Sequence, residues 1–140
     1  MSYENPWVYN GSVVDSELLD NYLGFVYNIT NLTDNRQYIG KKLLKRTKTK
    51  RVKGKKKRTL VESDWKDYYG SNKELIADVE KLGPYNFKRE ILRLCTTKGE
   101  CNYFEAKYQF ENDVLLSEKW YNSWIMVKVS DGHLKKIMPV

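Results

Sequence analysis

The sequence predicts an α+β (α/β mixed) fold: a small central sheet, antiparallel or mixed, built on an N-terminal β-hairpin and a further strand and flanked by helices. Three observations predict it. Residues 24–40 form two apolar runs around a polar turn, residues 71–85 and 96–113 carry capped helical patterns, and a strand-like run at 86–95 lies between those helices. At 140 residues, 41% hydrophobic and 14% aromatic, the chain suits one well-cored domain over 1–140.

Residues 1–22 are mixed, with a short helix expected over "DSELLDNYL". "GFVYNIT" alternates its larger side chains as a strand, "NLTDN" is turn chemistry, and "RQYIG" is the returning strand. A basic loop, mobile and broken by Gly54, is expected over about 41–59. "ESDWKDYYGSN" reads as a short helix or turn. "SNKELIADVEKLGPY" is a helix: Ser71 caps it, Glu74 answers, Leu75, Val79 and Leu82 share a face, and Gly83-Pro84 stops it. "NFKREILRLC" is a third strand, and "TTKGECNYFEAKYQFEND" a second helix with Thr97 and Glu100 as its capping pair. "WIMVKV" reads as a late strand ended by "SDG".

Charge is distributed unevenly. The net charge is +7, yet residues 41–58 hold 12 of the 25 Lys and Arg residues and no acid. The remainder has 13 basic residues against 18 acidic ones. A block that repels itself this strongly calls for a polyanion, and nucleic acid is the commonest. A solvated loop, or an import signal in "KGKKKR", is the plainer alternative. No apolar run approaches the ~20 residues of a membrane span. The first ten residues lack the layout of a secretory signal, so an intracellular protein without a disulfide between Cys95 and Cys101 is expected.

The hairpin carries the chemical question. With its turn centred between Leu32 and Thr33, Tyr27 and Tyr38 face one another across the strands, with Cβ atoms ~5 Å apart. Their hydroxyls could then share one target. Gly40 leaves the strand end open for a phosphate backbone to approach, with Lys41 and Lys42 beside it. Cross-strand tyrosines also serve as ordinary packing.

"GFVY" followed after ten residues by "YIG" resembles the GIY-YIG nuclease family: Gly24, Tyr27, Tyr38, Ile39 and Gly40 match, while Phe25 and Val26 depart from the usual dipeptide. "SDWKDYYGSN", "NFKREIL", the helix around Glu105 and "WYN" extend the likeness to the endonucleases of tailed phages, including the Seg-type homing endonucleases, over about Gly24 to Val129. The resemblance implies a GIY-YIG nuclease-like fold and a metal-binding glutamate, Glu105, on the late helix. It also implies a site asparagine at Asn122. A single carboxylate suffices for Mg²⁺ (or Mn²⁺), which keeps most of its waters. The arginine that the family places eight residues after its second glycine falls here on Lys48, so Arg46, Arg51 or a hairpin lysine is left to fill that role. His133, the single histidine, is expected on the surface and not as the base.

The function expected on this resemblance is metal-dependent hydrolysis of double-stranded DNA by a phage homing-type enzyme, acting in the host cytoplasm if phage-encoded. Tyr27 would take the proton of the attacking water, with its pKa lowered by Lys41 or Lys42, and Tyr38 would orient water or phosphate. Tyr69 is a further candidate, set against a packing role for Trp65, Tyr68 and Tyr69. Lys48, Arg51, Lys55, Lys56, Lys57 and Arg58 would hold DNA phosphates. A basic nucleic-acid-binding protein without catalysis is the alternative reading. Target sequence, nick or double-strand break, and a dimer on DNA stay open.

Overall fold

The computed structural model describes residues 4–126. Seven strands and two helices follow in the order β1 (Val8–Tyr9), β2 (Ser12–Val13), β3 (Gly24–Asn31), β4 (Gln37–Leu43), β5 (Lys45–Val52), β6 (Lys55–Glu62), α1 (Lys73–Leu82), β7 (Phe87–Cys95) and α2 (Lys98–Glu111). Five of the strands form a mixed sheet in the order β2-β1-β7-β3-β4, parallel only between β1 and β7, while β5 and β6 pair with each other alone. The α+β expectation holds.

Strand alternation sends side chains to two cores. Phe25, Tyr27 and Ile29 meet Trp7, Trp65, Leu75 and Val79 on the face covered by α1. Val26 and Ile39 meet Cys95, Cys101, Phe104 and Val114 beneath α2. Glycine at position 24 is required by this second layer, because a Cβ there would lie 2.8 Å from the Lys42 carbonyl and 3.0 Å from Cys101 Sγ.

The predicted hairpin forms, with one change of register. Tyr27 pairs with Gly40, and Tyr38 with Ile29, so the two tyrosines are diagonal and not directly opposed. The turn lies one residue later than the sequence suggested: Asn31 binds the Thr33 N–H through its side chain, its own N–H reaches the Arg36 carbonyl, and Asn35 takes φ 64°. Moving the turn centre by one residue moves the pairing by two, which keeps both tyrosines on one face. Against β7, the register slips between Val26 and Tyr27: Leu92 is left as the extra residue, a bulge in β7 opposite the point where Tyr27 projects.

The helices start and stop largely as read, with one shifted cap. Asn72, not Ser71, accepts from the Leu75 N–H (3.0 Å), because its amide also donates to the Tyr121 carbonyl (2.8 Å) and is fixed there. Ser71 is thereby released to meet Tyr38, and Glu74 pairs with Arg36 at 2.6 Å. Thr97 caps α2 by accepting from the Glu100 N–H, as expected.

Three expectations are corrected. "DSELLDNYL" forms turns with i→i+3 bonds, not a helix, since Leu19 is its one fully buried member before the sheet begins. The basic segment is the β5–β6 hairpin and not a loop. Of "WIMVKV", residues 124–126 form no strand, and the rest lies outside the described residues, as does His133. Among the described residues no helix is long and apolar enough to cross a membrane.

Candidate active site

Strand β4 is the sheet edge, and its outward backbone groups are satisfied in different ways along its length. Gln37 bonds Lys119 and Tyr121 of the chain that follows α2, both at 2.8 Å. Ile39 is bound by the Asn122 side chain, which accepts from its N–H (3.1 Å) and donates to its carbonyl (2.8 Å), with Gln109 donating to the same carbonyl at 2.9 Å. By strand parity Lys41 presents the next outward N–H, and there it faces the Glu105 carboxylate. Asn122 therefore braces the edge strand, which gives physical content to its expected supporting place.

A cavity of about 310 Å³ opens at this edge and joins both sheet faces: Tyr27 and Tyr38 from one, Lys41, Asn102, Glu105 and Gln109 from the other, with Asn122 between. Asn102, Glu105 and Gln109 stand three and four residues apart on α2, so they project together. Lys41 is held by the Asn102 side chain. Glu105 is the sole carboxylate in the cavity wall formed by the described residues.

Tyr27 is wholly buried in an aromatic cluster, edge-on to Trp7 (5.3 Å between centroids) and Tyr68 (5.8 Å) and tilted against Tyr38 (6.1 Å). Its phenol runs over Gly40, where a Cβ would lie 2.5 Å from the hydroxyl. Gly40 thus makes room for Tyr27 and not for a phosphate backbone. Among the described residues the Tyr27 hydroxyl makes no formed hydrogen bond; the Tyr68 phenol lies beside it without reaching that geometry. Tyr38 shares a 3.2 Å hydrogen bond with the Ser71 hydroxyl.

Burial raises the Tyr27 pKa well above that of a free phenol, and neighbouring Tyr68, Tyr38 and Glu105 add to the rise. Tyr38 is raised by burial too, against the bond from Ser71. Burial likewise raises Glu105 above its ordinary value, opposed by the charge and N–H of Lys41. The lysine activation expected for Tyr27 is therefore not what this arrangement provides. Lys42 is occupied by Asp64 at 2.5 Å and by the Tyr68 ring at 4.1 Å, while Lys41 serves the opposite face.

Tyr27, Tyr38, Lys41, Glu105 and Asn122 are brought together, and Gly40 lies under the phenol. Tyr69 is turned away: its hydroxyl accepts from Asn5 at 2.9 Å, and Arg89 stacks on its ring at 4.2 Å. Its neighbour Tyr68 packs against Tyr27 instead, a choice that adjacent tyrosines in sequence do not reveal. Arg46, at the root of the β5–β6 hairpin, lies near enough to Asp64 to help Lys42 depress its pKa. Lys48, Arg51, Lys55, Lys56, Lys57 and Arg58 are exposed along that hairpin and take no part in the cavity wall. Asn102 and Gln109 were missed, although helical spacing from Glu105 pointed to both.

The donor set fits one hard divalent cation. Among the described residues no three His, Cys, Asp or Glu side chains cluster, so these residues form no all-protein cage. Among the described residues Glu105 offers a partly buried carboxylate opposed only by Lys41, and the Gln109 amide oxygen one helical turn away is buried without a partner. Such oxygens suit a cation that keeps its waters and takes its remaining ligands from phosphate.

The family model described as "Putative endonuclease segE, GIY-YIG domain" matches residues 7–125. Comparison with curated proteins and with solved structures gives no match. The match covers the sheet, both helices and the braced edge. The chain belongs to the GIY-YIG endonucleases of the Seg type, DNA endonucleases that hydrolyse phosphodiester bonds.

Proposed function

We propose that cleavage depends on one divalent cation, Mg²⁺ or Mn²⁺, held by Glu105, and that the enzyme is a phage homing-type nuclease acting in the host cytoplasm on double-stranded DNA. The observation that carries the metal reading is that the one carboxylate of the cavity wall shares that cavity with two tyrosines. When bound, the cation supplies Lewis-acid stabilisation of the scissile phosphate and of the departing 3′ oxygen.

The protein's own part follows from the geometry. The scissile phosphate enters at the free end of the β4 edge, between Glu105 and the tyrosines. Lys41, steadied by Asn102, lends it positive charge. Tyr38, anchored by Ser71, orients the attacking water or a phosphate oxygen. Tyr27 takes the water's proton. Its raised pKa makes it a reluctant base, and Glu105 is one of the charges that hold it protonated, so offsetting that charge favours the phenolate. Because Tyr27 is shielded from solvent, it acts on a water inside the cavity and not on bulk solvent.

Plasmid nicking by the purified protein tests this. Cleavage should need Mg²⁺ or Mn²⁺, stop in EDTA, and return when the metal is restored in excess. Cleavage that persists in EDTA would overturn the metal reading while leaving the family membership untouched.

A further inference from the structure

We infer that the β5–β6 hairpin is a groove-reading arm: a two-stranded ribbon that enters the major groove of duplex DNA and presents cations to both phosphate walls. The inference rests on duplex DNA being the substrate, as proposed above.

The register supplies the argument. Eight residue pairs run from Lys45↔Glu62 to Val52↔Lys55, closed by Lys53 (φ 53°) and Gly54 (φ 75°), the paired positive dihedrals of a tight hairpin turn. At ~3.4 Å per residue the ribbon reaches about 27 Å. Alternation places Lys45, Arg51, Lys56 and Arg58 on one face and Arg46, Lys48, Lys50, Lys55 and Lys57 on the other. Residues 46–60 are all exposed, so neither face packs against the body. A basic patch that only rests on DNA needs one charged face. This ribbon has two.

Its internal energetics point the same way. Lys50 faces Lys57 and Arg51 faces Lys56 directly across the strands, and opposed like charges destabilise a sheet. A lone two-stranded hairpin is marginal in water to begin with. Phosphates on both sides would relieve that repulsion. A major groove ~12 Å wide admits such a ribbon. Single strands are a poorer match, because residues 45–62 contain no aromatic side chain on which bases could stack.

The root is fixed where the tip is not. Ser63 bonds the Leu43 carbonyl (2.6 Å) and the Leu44 carbonyl (2.8 Å), Trp65 donates to Glu62 (2.9 Å), and Lys42 pairs with Asp64 (2.5 Å). One residue, Leu44, separates β5 from β4, whose Lys41 lines the cavity. DNA held by the ribbon is therefore registered against the cleavage site.

The test measures binding by the full chain in EDTA, so that cleavage plays no part. Wild type should prefer duplex to single strand and be displaced by methyl green, which occupies the major groove, but not by netropsin, which occupies the minor groove. Replacing Lys50, Arg51, Lys55, Lys56, Lys57 and Arg58 together with Gln should flatten the slope of log K against log salt by about 0.9 for each phosphate no longer neutralised. Lys56→Gln and Lys57→Gln, made singly on opposite faces, perturb folding too little to matter, and each should flatten it. An unchanged slope, displacement by netropsin alone, tighter binding to single strands, or a response to only one of the two single variants would overturn the arm. Plasmid nicking in Mg²⁺ is scored separately. A protein that nicks with an unchanged slope loses the arm and keeps the nuclease reading, and one that binds through the ribbon without nicking does the reverse.

Discussion

The Tyr27 phenol lies over the backbone of Gly40, its partner across the β3–β4 pair, so closely that a single added carbon on Gly40 would come within 2.5 Å of the hydroxyl. The tyrosine of the first motif and the glycine of the second are thus one structural unit. The glycine exists as space for the phenol.

Gly40→Ala should accordingly damage both fold and activity. The new methyl also meets the Tyr38 ring at 2.9 Å, and overpacking of this kind costs about 1–3 kcal/mol. Thermal unfolding should show the loss, and plasmid cleavage should fall with it. A variant with wild-type Tm and rate would mean the phenol has room to move aside.

Tyr27→Phe should separate stability from chemistry. The ring keeps its contacts with Trp7, Tyr38 and Tyr68, while a buried hydroxyl without a formed bond disappears. Removing such a group is neutral or stabilising. Cleavage should nevertheless fall at least a hundredfold, or about 2.7 kcal/mol of barrier. The pH profile supplies a second readout. A base whose pKa is raised is deprotonated only as pH climbs, so the wild-type rate should still be rising on the alkaline side, and the residual rate of Tyr27→Phe should not follow it. A profile that is flat in the wild type would remove Tyr27 from the proton transfer.

Asn122→Ala tests the brace. It deletes both bonds to the Ile39 backbone and leaves a buried edge N–H unpaired, a loss of about 2–3 kcal/mol. Hydrogen exchange at the Ile39 amide should accelerate, and cleavage should fall because Lys41 and Gly40 lose their support. An unchanged exchange rate would show that Gln109 and the neighbouring chain hold the edge alone.

The sequence disclosed the main sheet well because its signals were local. Alternation in "GFVYNIT" and "NFKREILRLC" and the caps at Thr97 and Gly83 each fix an element without reference to distant residues. Other features depended on long-range contact. Asn72 outcompetes Ser71 only because Tyr121 holds it, and Tyr68 is preferred to Tyr69 only because Arg89 and Asn5 claim the latter. The ribbon was hidden by its own charge: Thr47, Thr49, Val52, Thr59 and Val61 are strand formers, but twelve cations nearby read as a loop. Asn10-Gly11, a strong hairpin signal between β1 and β2, was overlooked despite being legible.

Glu105→Gln is the most discriminating substitution, because the site's electrostatics predict opposite signs for stability and activity. Burial raises the Glu105 pKa above its ordinary 4.5. A raised carboxyl favours the fold in its protonated form: the stabilisation is complete below pH 4.5 and is lost as pH rises through the elevated value. Without metal the neutral glutamine, nearly the same in volume, should therefore be more heat-stable than wild type near neutral pH, and the difference should vanish in acid. Added Mg²⁺ should raise the wild-type Tm and leave the variant's unmoved, since ligand binding stabilises only a site that binds. Duplex binding in EDTA should hold or tighten with one negative charge gone, while cleavage falls at least a hundredfold, or about 2.7 kcal/mol. Wild-type cleavage by the variant in ordinary Mg²⁺, or an equal Mg²⁺-induced Tm shift in both proteins, would remove Glu105 as the metal ligand.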